Sequence, residues 1–335
     1  MERPCVRVPR EAGERTRQAL ADANLVDEDH EIVVEDGALY LPVTDPAAVA
    51  DDYEVVSRDV PTHDSQRTPA DLLGFDPSYE RLGDVAILDS DDPERADRVA
   101  DAILESDLPV RAVIDRASKV KGDLRVRDWT VLATDPEAAV DHPATETVHR
   151  EYGFEYRLDL ADVYFSPRLA TERHRVTEAV ADGEHAVDMF AGVGPFAVPM
   201  AARGATVVGV DLNPAAVEYL RENARRNDVA DRVTAIEGDV RDVAADYADW
   251  ADRIVMNLPH SADDFLDAAV TLAGETCALH YYDIQHEDDP FGPGEAAIRE
   301  AAAPAGYDVE VLTRHVVRSY APHELNVCLD VRLSR

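Results

Sequence analysis

From residue 186 to residue 282 five short apolar runs alternate with helical patterns, and this alternation constrains the fold more than any other feature of the 335-residue chain. The runs cover 186–190, 206–211, 233–237, 253–257 and 277–282, with helical stretches such as 215–227 between them. Parallel neighbours need crossover helices, so the order predicts an α/β, Rossmann-like fold with a doubly wound, mostly parallel sheet. The first run, Ala186-Val187-Asp188-Met189-Phe190, leads into Ala191-Gly192-Val193-Gly194-Pro195-Phe196-Ala197. Glycines 192 and 194 let a ligand approach the backbone where side chains would collide, and a helix start there favours negative charge. The second run ends at Asp211, where an acid can accept from both hydroxyls of a ribose. After the third run, Gly238-Asp239-Val240 places another acid within reach of an adenine amino group.

Two cofactors suit this arrangement. Gly192-Val193-Gly194-Pro195-Phe196-Ala197 satisfies the loose dinucleotide pattern, so an NAD-linked oxidoreductase is open. Asp188, just before the glycine turn, would oppose a pyrophosphate but suits the cationic aminoacyl-sulfonium of S-adenosylmethionine. The fourth run ends in Asn257-Leu258-Pro259, at the sheet edge where open α/β folds bind ligands. The Asn257 carbonyl can accept from the amino or imino group of a base, and the segment resembles the N-P-P-Y-type motif of methyltransferases acting on planar nitrogens. Upstream, Ser166 and Pro167 predict a helix start, with Glu172 in its second turn. Taken alone, Glu172 reads as a solvated surface glutamate.

Two smaller α+β blocks precede the sheet. Residues 1–62 read as a strand (5–8), an amphipathic helix (11–24) and a hairpin (31–35 and 38–43) turning at Asp36-Gly37. A polar stretch, 57–69, reads as a linker. Residues 70–163 read as strand 83–88, helix 93–106, strand 110–114 and strand 124–132, whose alternation puts Arg125 and Arg127 on one face. The catalytic block then runs from 164 to 335.

Charge is the second constraint. Sixty-nine acids against 33 bases leave −36, and Lys119 and Lys121 are the only lysines. Acids spread along the whole chain, with arginine in place of lysine, resemble adaptation to molar salt as in halophilic archaea. At 1 M salt the Debye length is about 3 Å, so the charge does not exclude an RNA substrate held by short-range arginine contacts. Cys5, Cys277 and Cys328 have no paired spacing, so neither a disulfide framework nor a metal site is expected. Residues 1–18 lack an apolar signal core, and the least polar stretch, 189–202, is too short to span a bilayer, so a cytoplasmic location is expected.

Several segments in fixed order carry a resemblance. Tyr164-Phe165-Ser166-Pro167-Arg168-Leu169-Ala170-Thr171-Glu172-Arg173, the glycine turn with its strand, Met256-Asn257-Leu258-Pro259, Arg318-Ser319-Tyr320-Ala321-Pro322 and Gly122-Asp123-Leu124-Arg125-Val126-Arg127 are similar to segments of the archaeal and eukaryotic tRNA (guanine-N1)-methyltransferases. That family modifies the guanosine on the 3′ side of the anticodon. The resemblance implies Glu172 as general base, Arg125 on the guanine O6, Asn257 on the imino-amino edge with Pro259 beside it, and Tyr164 fixing cofactor and base. It implies Arg168, Arg173, Asp188, Phe190, Gly192, Gly194, Asp211, Leu212, Asp239, Val240 and Asn257 around S-adenosylmethionine. It also implies a monomer whose N-terminal block checks the shape of a distant part of the tRNA. Thr134-Asp135-Pro136 departs from the basic or glycine-containing turn usual there. The related wybutosine-pathway aminocarboxypropyltransferase shares the sheet but commonly lacks the N-terminal block, and a non-catalytic tRNA-binding protein is the remaining alternative.

Overall fold

The computed structural model describes residues 2–50, 52–62, 66–138 and 142–335. Packing separates them into two compact units, Met1–Thr68 and Pro69–Arg335. Residues 63–65 of the expected linker and 139–141 of the segment containing Asp135 fall outside the described residues.

The first unit is a four-stranded antiparallel sheet in the order Val33–Glu35, Ala38–Pro42, Glu2–Pro9, Glu54–Asp59, with the helix Gly13–Asp22. The expected hairpin turns at Asp36 and Gly37, both at positive φ (50° and 76°). Glu54–Asp59 corrects the expectation that the linker begins at residue 57. Residues Glu54 to Asp59 pair with Glu2 to Arg7, an arrangement set by a distant strand and invisible in local polarity.

The second unit holds the expected doubly wound sheet. Its strands are β1 (His185–Asp188), β2 (Thr206–Asp211), β3 (Val233–Glu237), β4 (Ala251–Met256), β5 (Ala273–His286), β6 (Asp308–Ala321) and β7 (Glu324–Ser334), in spatial order β3-β2-β1-β4-β5-β7-β6. The first five are parallel, β7 runs antiparallel to β5, and β6 antiparallel to β7. The order reverses between β1 and β4, so a crevice opens there at the carboxyl ends of the strands. The helix Ala170–Glu178 is α1, Ala197–Ala202 is α2 and Pro214–Arg226 is α3. Asn213 caps α3 by accepting from the Ala215 N–H at 3.0 Å, with Pro214 at its first position.

Residues 80–134 add a second four-stranded sheet, and Glu146–Glu151 pairs with Phe154–Asp159. The boundary expected at 163/164 runs inside this unit, where Leu82, Ile114 and Tyr156 share one buried cluster with Val176, Val207 and Leu220. The strand expected over 124–132 is corrected to Trp129–Thr134. Residues 122–125 instead form a turn closed by Lys121 and Val126, whose N–H···O=C bond is 2.7 Å, and Arg125 takes φ 55°. Polar-apolar alternation continues through the turn, so periodicity alone could not place the strand start.

Candidate active site

Beneath the crevice lies a cavity of about 1290 Å³, lined by residues of the glycine turn, the ends of β2 and β4, and the turn around Arg125. Seven basic and five acidic side chains line it, a local excess of base in a chain of net charge −36.

One end is built by β1, β2 and β3. Gly192 has φ 52°, and the space where its Cβ would stand is open. Gly194 serves packing instead: a Cβ there would meet Leu220 at 2.5 Å, and the residue does not line the cavity. Asp211 accepts from the Gly192 N–H at 2.7 Å and the Asn213 N–H at 2.8 Å, which leaves each carboxylate oxygen a free lone pair. Burial pushes its carboxyl up, against those two N–H groups. Phe190, Leu212 and Val240 supply apolar wall. Asp239 lines the cavity while capping the short helix Val240–Val243 and pairing with Arg241, whose guanidinium holds its carboxyl below the usual range.

Asp188 lies behind this wall, 1% exposed. Its Oδ1 accepts a long bond from the Phe190 N–H (3.4 Å) and its Oδ2 is buried without a partner. Burial pushes its carboxyl up to about 7, the Phe190 N–H opposing and Asp211 adding to the rise. An unmet buried acceptor beside an open glycine turn fits a ligand with a cationic or donor group, as S-adenosylmethionine has.

The raised carboxyl gives a pH prediction. Between the unfolded carboxylate range near 4 and about 7, the folded state binds the extra proton, so the stability Asp188 contributes is full below that window and lost as pH rises through about 7. Asp188→Asn is therefore expected to stabilise the ligand-free protein at pH 8 by roughly 1–3 kcal/mol, with little gain at pH 4, while weakening cofactor binding. Thermal melts at the two pH values and calorimetry with S-adenosylhomocysteine check both halves.

At the other end Asn257, Pro259, Arg125 and Tyr164 converge on the cavity. The Arg125 guanidinium stands 5.6 Å from the centre of the Tyr164 ring, a cation–π distance. Arg127 also lines the space, so the two arginines do converge, although Arg125 comes from a turn and Arg127 from the link that leads into Trp129–Thr134 rather than from one face of a strand. His260, directly after Pro259, and Tyr320 complete this end; the His260 Nε2 and the Tyr320 hydroxyl are 3.0 Å apart. Burial and then the Arg125 charge push the His260 imidazole down. Neither was assigned from sequence, although Tyr320 lies within a matching segment and His260 directly follows one. Arg318 and Asn326, opposite each other on β6 and β7, also line the cavity, and each has a buried polar atom (Nε and Oδ1) without a partner.

Both expected cofactor arginines are ion-paired, and of the two only Arg173 lines the cavity. Arg173 is 3% exposed, paired with Glu151 and donating to the Ser166 carbonyl at 3.1 Å, so it holds the start of α1 against the cavity wall. Arg168 pairs with Glu80 and lines an adjoining cavity of about 200 Å³.

Glu172 lies just behind the wall, 4% exposed and outside the cavity lining. Arg175 grips both its oxygens (2.8 and 2.7 Å), the Tyr282 hydroxyl donates to Oε1 at 2.8 Å, and His315 Nε2 is 3.3 Å from Oε2. Sheet register shows how near the cavity is. Tyr282 lies opposite Cys328, and two residues along each strand Ile284 lies opposite Asn326, both of which line the cavity. Paired residues share a face and the pleat repeats every two residues, so Tyr282, which donates to Glu172, is one repeat along β5 from the cavity-lining Ile284. The network continues inward: Arg175 also binds Asp330 (2.6 Å), Asp330 accepts from His280 Nδ1 (2.6 Å), and His280 Nε2 meets Arg253, which is fixed by Glu184. Burial alone would raise the Asp330 carboxyl, but His280 and Arg175 hold it well below the usual range. His280, Asp330 and Cys328 have ligating atoms within 4.8 Å of one another, a grouping already engaged by these hydrogen bonds. Cys277 is buried inside β5, where burial pushes its thiol up.

Residues 147–311 match the TRM5/TYW2 methyltransferase domain, and residues 5–51 match the tRNA methyltransferase 5 N-terminal domain. The tRNA (guanine(37)-N(1))-methyltransferase Trm5b of Pyrococcus abyssi is 38% identical over 337 residues, covering 98% of both chains. The chain belongs to the Trm5 family of tRNA (guanine(37)-N(1))-methyltransferases. A solved complex of aTrm5 and tRNALeu superposes with a TM-score of 0.70 at 31% identity, covering 98% of this chain and 99% of that one. The tRNA(Phe) (4-demethylwyosine(37)-C(7)) aminocarboxypropyltransferase of Pyrococcus horikoshii is 32% identical but covers 80% of this chain and 94% of its own. Membership of the Trm5 family sets aside the oxidoreductase reading of the glycine turn. Among the described residues no helix is long and apolar enough to cross a membrane.

Proposed function

We propose that this chain transfers a methyl group from S-adenosylmethionine to N1 of the guanosine 3′ of the tRNA anticodon, position 37. The observation that carries the reading is the two-ended cavity: a glycine turn with Asp211 and Asp239 at one end, and Arg125, Tyr164 and Asn257 at the other. Its excess of base within an acidic chain suits a polyanion. The Trm5b match along almost the whole chain favours methyl over aminocarboxypropyl transfer.

Asp188, Gly192, Asp211, Leu212 and Asp239 would hold the cofactor, with Phe190 and Val240 as apolar wall. S-adenosylmethionine, when bound, supplies an electrophilic methyl carbon. The protein's own work is on the base. Guanine N1 carries a proton and is a poor nucleophile until that proton leaves. The Asn257 carbonyl orients the imino-amino edge, and Pro259 stiffens the turn that carries it. Glu172 takes the N1 proton, and the negative charge that spreads to O6 is met by the Arg125 guanidinium. Glu172 reaches the base by swinging out from its site behind the cavity wall. Arg175 keeps Asp330 as its second carboxylate when Glu172 moves.

In the same reading, residues 1–62 check the shape of a distant part of the tRNA, residues 70–163 bind RNA near the anticodon, and 164–335 carry the chemistry. The protein works as a cytoplasmic monomer without metal, in a halophilic archaeon. Salt dependence tests the last point: the melting temperature is expected to climb between about 0.1 and 2 M KCl as repulsion among 69 acids is screened. A flat or falling curve argues against it. Nucleoside mass spectrometry of tRNA incubated with the methyl donor in high-salt buffer tests the activity. A gain of one methylene on guanosine 37 supports it, and an aminocarboxypropyl gain or unmodified tRNA overturns it.

A further inference from the structure

We propose that His315 carries the proton that Glu172 removes from the base out to solvent, an inference that rests on Glu172 acting as the base. Each methyl transfer releases one proton, and Glu172 back in its resting place, 4% exposed and gripped by Arg175, has no direct path to water. Its neighbours offer few exits. Arg175 on α1 is permanently charged and accepts no proton. Tyr282 on β5 is 1% exposed and holds its own phenolic proton, burial pushing it well above the ordinary value. Cys328 on β7 is fully buried, its thiol also pushed up, and Asp330 beside it is committed to His280 and Arg175. His315 on β6, opposite Cys328, differs from all of these. Its Nε2 lies 3.3 Å from Glu172 Oε2, and its side chain is 40% exposed.

The step balances. The N1–H bond of guanine breaks, and its electron pair forms the bond to the methyl carbon, while the sulfur of the donor keeps the pair of the broken sulfur–carbon bond. The proton passes to a Glu172 oxygen and, once the side chain is back against His315, to its Nε2. The imidazolium releases its Nδ1 proton to water, and the ring regains its starting tautomer by exchange with solvent. No oxidant or further reactant is needed. His315 touches no substrate and acts through Glu172.

The test uses the full-length protein with His315→Ala, His315→Gln and Glu172→Gln, assayed in buffers free of imidazole. Turnover at saturating tRNA is expected to fall by about tenfold in both His315 variants, less than for the base itself because water partly substitutes. Added imidazole should restore His315→Ala, with affinities for S-adenosylhomocysteine and tRNA unchanged. Independently of turnover, the ring ¹⁵N resonances of His315 in the ligand-free protein should move in Glu172→Gln. Wild-type turnover in the His315 variants, or a loss that imidazole does not restore, overturns the relay. If Glu172→Gln remains slow in that case, the base reading survives without it. Wild-type turnover in Glu172→Gln overturns both.

Discussion

Glu172→Gln is expected to lower the single-turnover rate of methyl transfer by about 10²-fold or more, the usual worth of a positioned general base. The substitution isolates chemistry from folding. Glutamine keeps the volume and one carbonyl oxygen, which can still accept from the Tyr282 hydroxyl. Arg175 loses one carboxylate but keeps Asp330 at 2.6 Å, so no cation is left buried and unpaired. Affinity for S-adenosylhomocysteine, measured by calorimetry, should therefore remain within about twofold, because Glu172 lies outside the cavity lining. A rate like that of the parent protein would remove Glu172 from the role of base, and with it the need for the carboxylate to cross to the cavity.

Arg125 gives the second large effect, with an unusual separation from stability. Its backbone has φ 55°, a region that costs a residue with a side chain about 1 kcal/mol relative to glycine. The turn from Gly122 to Arg125 needs that conformation to bring Val126 back to Lys121. Arg125→Gly should thus hold or slightly raise thermal stability while lowering single-turnover methyl transfer by about 10²–10³-fold, as when one donor to a developing oxyanion is removed. Arg125→Ala should lose as much rate without relief of the backbone. Arg125→Lys should recover part of the rate, since a point charge replaces a planar fork. Melting curves together with rates at saturating tRNA check the pair of effects. A rate loss that saturating tRNA restores would place Arg125 in RNA affinity rather than in charge stabilisation.

Much of the fold was legible because the signals are local. An apolar run ending at Asp188, a turn that requires glycine at 192 and 194, and a second run ending at Asp211 follow from side-chain volume, backbone freedom and strand periodicity. The β1 to β5 succession needed nothing more. Strand β6 escaped because its alternation is broken by register shifts near Thr313, Arg318 and Ala321, which only pairing with β7 reveals, and β7 because burial on both faces leaves it no alternation. Arg125 escaped for a related reason: an apolar-polar alternation has the same appearance in a strand and in the turn that precedes it.

The sequence by itself determined the ligand-facing chemistry: which residue types stand at the ends of β1, β2 and β4, and that Asn257, Asp211 and the glycines meet at one edge of a sheet. Only the tertiary structure decided which charges are available there. It leaves Asp188 buried with an unmet oxygen and ties Arg173 to Glu151. It also encloses Glu172 with Arg175, Tyr282 and His315, residues 3, 110 and 143 positions away in the chain. Strand position is written in neighbouring residues, whereas burial and ion pairing depend on which distant segments share a face.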